Sequence, residues 1–133
     1  MRISNERPPV WDECVKAFDF DQSRTVFAYG DVIYNPARVE IPDHLFVHEG
    51  THLDQHQHDD HVASIWWKRY IADPAFRLEQ EVEAYRAQYK FICSKVKDKN
   101  ARFRNLHIIA TDLSGPMYGR VISYTDALRR IRG

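Results

Sequence analysis

The chain has 133 residues, 19 basic and 19 acidic side chains, a formal net charge of zero, and 44% hydrophobic residues. That size and composition fit one globular domain over residues 1–133 and exclude a disordered, collagen-like or supercharged nucleic-acid-binding chain. No apolar run approaches the ~18 residues of a membrane span, and the N-terminus lacks the apolar stretch of a signal peptide, so a soluble chain that stays in the cytoplasm is expected. Cys14 and Cys93 lie far apart in sequence and read as free thiols.

Residues 8–18 predict a short helix opened by proline. Two β-rich runs, Arg24 to Tyr29 and Val32 to Tyr34, flank Gly30-Asp31 and predict a hairpin. Asp43 reads as the N-cap of a helix from about His44 to His56. A further helix is expected from about His61 to Ala72, stopping before Asp73-Pro74. The longest should run from about Phe76 to Lys97, because Leu78, Val82, Tyr85, Tyr89, Ile92 and Val96 recur at alternating spacings of four and three. Phe103, Leu106, Ile109 and Leu113 mark another helix, stopped by Ser114-Gly115-Pro116. A last one starts near Thr125 or Asp126 and carries Leu128 and Ile131. One hairpin and these helices make a mostly helical α+β domain.

The neutral total hides an asymmetry. Residues 1–61 carry 12 acids against 5 Lys/Arg, and residues 62–133 carry 7 against 14. Six of the seven histidines (44, 48, 52, 56, 58 and 61) lie in the acidic half. Among them His48-Glu49-Gly50-Thr51-His52 forms an HExxH pattern. On a helix, residues four apart share a face, so His48 and His52 can reach one zinc ion. Glu49 is displaced to the side, where it can take a proton from an attacking water, and Zn²⁺ makes such a water acidic enough to serve near neutral pH.

A third ligand is needed, and two routes exist. In Glu79-Gln80-Glu81-Val82-Glu83, Glu81 lies about 60° from the centre of the apolar stripe, while Glu79 and Glu83 point further towards solvent. Glu81 is therefore the acid placed to reach inward, although Arg77, four residues earlier, offers it an intrahelical ion pair. The other route is His58, the last position of HExxHxxGxxH, where Gln55 stands in place of glycine. Met117-Tyr118 echoes the methionine turn associated with that pattern.

His48 to Gln55, read as HExTHxxQ, and Glu81-Val82-Glu83-Ala84-Tyr85 about 30 residues later resemble short gluzincin-type zinc metallopeptidases, many of them small bacterial or bacteriophage proteins. The resemblance covers about residues 25–90. It implies a minimal zincin-like fold with a small β-hairpin or sheet before the HExxH helix, and a Glu from the next core helix, Glu81, as third ligand. It also implies cleavage of a protein or peptide substrate, with Glu49 as general base. An oxyanion donor would come from Tyr118, Tyr85 or His107.

Other readings stay open. A zinc-binding structural or interaction protein, such as a phage component, could share the fold. The basic run Lys95, Lys97, Lys99, Arg102 and Arg104 could meet nucleic acid or an acidic partner, but without interleaved aromatics a solvated face is favoured. His56, His58 and His61 with Asp54, Asp59 and Asp60 could form an accessory metal patch, for which surface solvation is the simpler expectation. Of Trp66 and Trp67, one is expected to face the core.

Overall fold

The computed structural model describes residues 1–133. Strand β1 (Arg2–Ser4) is followed by helix α1 (Trp11–Ala17), strands β2 (Phe27–Tyr29) and β3 (Val32–Tyr34), and five further helices. These are α2 (Asp43–Gln55), α3 (Asp60–Ala72), α4 (Pro74–Lys95), α5 (Lys99–Leu113) and α6 (Tyr124–Arg132), with a 3₁₀ turn at Pro116–Tyr118. The architecture is mostly helical α+β, as the sequence predicts. None of the helices is long and apolar enough to cross a membrane.

The hairpin forms at the predicted place. Gly30 takes φ +64° at the first turn position, a conformation glycine adopts without the Cβ penalty. The sheet has three strands in the order β1-β3-β2. β1 is an addition to the expected hairpin: Arg2, Ile3 and Ser4 pair in parallel with Val32, Ile33 and Tyr34.

Helix starts follow short acidic or hydroxyl caps. Asp59 accepts from the backbone N–H groups of His61 and Val62, Asp73 from Ala75 and Phe76, Asp98 from Ala101, and Ser123 from Asp126. Asp73 ends α3 and opens α4, so the expected stop signal is also a start. Asp43 differs from its expected role. Pro42 occupies the cap position, and Asp43 is the first helical residue. There its charge complements the positive end of the helix dipole.

Helix α2 sits between two layers. Leu53 packs with Val26, Ala28 and Ile33 of the sheet side, while His48 and His52 of α2 bond to α4 residues. The larger core joins Trp11, Trp66, Trp67, Tyr70, Val82, Tyr85, Ile92, Leu106 and Ile131 from the surrounding helices. Both tryptophans are buried, where one was expected, because α3 is wedged between sheet and α4. Trp67 donates its indole N–H to the Ala28 carbonyl at 3.0 Å, and Trp66 donates to Gln80 Oε1 at 2.8 Å.

On α4 the apolar stripe is joined by a second buried row: Arg77, Glu81, Ala84 and Gln88. Arg77 does not form the ion pair with Glu81 that its spacing offers. Its guanidinium donates instead to the carbonyls of Tyr118 (3.0 Å), Tyr70 (2.7 Å) and Ile71 (3.2 Å), capping the end of α3. Its charge lies over the ring of Phe18 at 5.0 Å. Buried carbonyls that need donors outcompete a neighbour on the same helix. Arg77→Met should therefore lose about 2–4 kcal/mol in denaturant unfolding, because three carbonyls lose a charged donor together.

Candidate metal centre

The HExxH segment is helical, as its chemistry requires, and it faces α4 across a buried interface. His48 (3% exposed), His52 (5%) and Glu81 (3%) form the one group of three or more ligating side chains close enough to share an ion, with their ligand atoms within 4.8 Å of one another. His48 Nε2 lies 3.1 Å from Glu81 Oε1, and His52 Nε2 lies 3.2 Å from Glu81 Oε2. The periodicity argument that selected Glu81 over Glu79 and Glu83 is matched by burial: Glu81 is inside and the other two are exposed.

Each member has its own support. The Tyr70 hydroxyl donates to Glu81 Oε2 at 2.6 Å, fixing the carboxylate from the α3 side. His48 Nδ1 lies 2.9 Å from Gln88 Oε1, and His52 Nδ1 donates to Gln55 Oε1 at 2.8 Å. Both imidazoles thus turn Nε2 towards Glu81. The Tyr85 ring packs edge-on against His48, with centroids 4.3 Å apart, and its hydroxyl lies 2.7 Å from that of Tyr118.

Electrostatics follow from burial and from one charge. Burial pushes Glu81 upward, but His52 and His48 outweigh it and hold the carboxyl well below its usual range. Burial pulls His52 down, but the charge and hydrogen bond of Glu81, the charge of Glu49 and the Gln55 contact lift it to about 9. At neutral pH, with no ion bound, a proton on His52 Nε2 stands between imidazole and carboxylate. That is the position a divalent cation would take, since a metal replaces a proton on its ligands. The donor set of two neutral imidazoles and one carboxylate suits zinc.

Because the His52 pKa in the fold lies above the ~6.5 of a free imidazole, its stabilisation is complete below pH ~6.5 and lost as pH rises through about 9. The melting temperature of chelator-treated protein should fall across that window. Added zinc should raise it more at pH 8.5 than at pH 6.5, because less proton remains to be displaced.

Glu49 is 7% exposed, and none of the side-chain bonds around the cluster engages its carboxylate. Burial raises its pKa, the charges of His48 and His52 oppose that, and Glu81 adds to it. A carboxylate raised from its ordinary range and free of partners suits a base. Burial and the Glu81 charge also raise Tyr70, Tyr85 and Tyr118 well above 10, so all three keep their protons.

The remaining sequence candidates lie elsewhere. His58 is exposed and bridges Asp31 (2.9 Å) and Asp54 (3.0 Å), tying the hairpin turn to the end of α2. It occupies φ +54° next to Gln57 at +57°, a left-handed turn made without glycine. The carboxylate Glu81, and not His58, completes the buried cluster. His56 is wholly buried, accepts from the Gly30 N–H at 3.2 Å, and is pushed down to about 3 by burial and by the charges of His52 and His58. His107 is exposed and bonds Tyr124. In the His- and Asp-rich stretch where surface solvation is the simpler expectation, Asp59 serves as a helix cap and His61 is exposed. Within the basic run, Arg102 is taken up in capping α4 through the carbonyls of Val96 and Cys93.

Sequence reasoning missed Tyr70, Gln88 and Glu83, whose Oε1 accepts from Gln55 Nε2 at 2.8 Å. Only Gln88 carried a local signal, standing two helical turns after Glu81 on the same face. Cys14 is buried with its thiol pushed up to about 12, chiefly by burial, and Cys93 is also free. Comparison of the chain with protein-family models, curated proteins and solved structures gives no match.

Proposed function

We propose that this chain is a zinc-dependent metallopeptidase on a minimal zincin-like fold. The observation that supports it best is the buried cluster of His48, His52 and Glu81 with an unengaged, pKa-raised Glu49 on the same helix. His48, His52 and Glu81 would hold the ion, which when bound supplies a Lewis acid and a water acidic enough to attack at neutral pH. Glu49 takes the proton from the attacking water and delivers it to the leaving amine nitrogen. Tyr70 keeps Glu81 oriented, so the carboxylate is not free to rotate away. Tyr85, whose ring packs on His48, and Tyr118, whose hydroxyl lies 2.7 Å from that of Tyr85, keep their protons and are the donors assigned to a developing oxyanion.

One observation favours a second reading, a metal-stabilised domain without turnover: the three ligating residues are each no more than 5% exposed. Two open surface hollows lie outside the cluster, one lined by Glu79, Gln80, Val82, Glu83, Arg86 and Arg130, the other by Phe103, Arg104, His107 and Ile108. Incubating zinc-reconstituted and chelator-treated protein with an unfolded protein substrate separates the two. Zinc-dependent cleavage supports the peptidase, and zinc binding without cleavage supports the structural role.

A further inference from the structure

The donor arrangement behind the two histidines carries more than support. An imidazole ligates a metal only through a nitrogen that gives up its proton, so a partner that accepts from the other nitrogen decides which one is offered to the ion. For His52 that choice can be followed bond by bond. Gln55 Nε2 donates to two groups that can only accept: the Gln80 carbonyl at 3.1 Å and Glu83 Oε1 at 2.8 Å. The amide therefore cannot be flipped, and its oxygen must face His52 Nδ1. That nitrogen must donate, which leaves Nε2 as the position for proton or metal beside Glu81. His48 is served by a different helix. Gln88, 7% exposed on α4, sets its amide between two imidazoles, with Oε1 2.9 Å from His48 Nδ1 and Nε2 3.0 Å from His44 Nδ1.

Resting on the zinc reading above, we infer that Gln55 and Gln88 are a matched pair of positioning residues. Gln55 fixes the ligating tautomer of His52, Gln88 engages Nδ1 of His48 and so keeps its Nε2 turned towards Glu81, and together they set how tightly the site holds its metal. The exposed carboxylate of Glu83 belongs to the same device, because it locks the Gln55 amide. Both partners are neutral amides. They orient the rings without adding negative charge beside the ion, where a carboxylate would raise ligand basicity.

The test is zinc affinity measured by competition with a chromogenic chelator, with unfolding of the metal-free variants as the folding control. Gln55→Leu and Gln88→Leu should each weaken zinc binding by about 10–100-fold. Gln88→Glu should bind at least as tightly as wild type, since a carboxylate oxygen still accepts from His48 Nδ1. Gln55→Glu should bind weakly, because it would turn a second acceptor towards Glu83 and the Gln80 carbonyl. Adding Glu83→Gln to it should restore binding, since the new amide can donate. Wild-type affinity in both leucine variants, or failure of Glu83→Gln to restore, overturns the inference. Should the leucine variants not fold, the glutamate series carries the test alone. A wild-type chain that binds no zinc overturns the metal reading itself, whereas unaffected variants in a zinc-binding chain overturn only the positioning role.

Discussion

Glu49→Gln should retain zinc and lose peptide-bond hydrolysis by roughly 10²–10⁴-fold, the usual contribution of a positioned general base. The reasoning is local. Glu49 stands outside the ligand set, and the side-chain bonds that orient the three ligands run through Gln55, Gln88 and Tyr70, not through Glu49. Its amide isostere therefore leaves their geometry alone while removing the carboxylate proposed to accept the proton. The carboxylate it replaces is desolvated, with a raised pKa, so the variant should melt no lower than wild type. Hydrolysis at the wild-type rate by zinc-loaded Glu49→Gln would remove Glu49 from the chemistry. Loss of zinc together with activity would show that Glu49 acts on the site's structure.

Glu81→Ala has the other large expected effect, and it appears in stability. The carboxylate accepts from Tyr70 and from protonated His52, and lies 3.1 Å from His48 Nε2, in a buried interface. Its removal leaves a protonated imidazole and a tyrosine hydroxyl without an acceptor, a loss on the order of 3–5 kcal/mol for a broken buried pair. Zinc should also cease to stabilise the variant. For wild type, free zinc at a thousand times Kd adds about 4 kcal/mol, and in a domain of this size each kcal/mol raises Tm by roughly 3–5 °C. Scanning calorimetry of both proteins with zinc and with chelator measures this directly. A zinc-dependent rise of wild-type size in Glu81→Ala would exclude Glu81 as a ligand, whereas the same experiment on His58→Ala should leave the rise intact.

Features that depend on short-range rules could be read from the residues. The turn at Gly30-Asp31, the helical phase of His48, Glu49 and His52, and the inward placement of Glu81 all follow from local periodicity. Strand β1 was hidden because its parallel pairing with β3 joins residues about 30 apart and has no turn to announce it. Arg77 misled for the opposite reason. A favourable i,i+4 pairing exists in the sequence, yet in the fold three buried carbonyls need a donor more than Glu81 does. Tyr70 belongs to a different helix from every ligand, so no spacing rule connects it to Glu81. Glu83 looked like a solvated residue and is exposed, but it also holds the amide that orients His52.

The central claim is that His48, His52 and Glu81 hold a zinc ion. Elemental analysis of the wild-type protein, purified without chelator, tests it most directly. The account predicts one zinc per chain, removed by a strong chelator, regained on addition of zinc, and absent from Glu81→Ala. Wild-type protein that carries no zinc and takes up none on titration would contradict it.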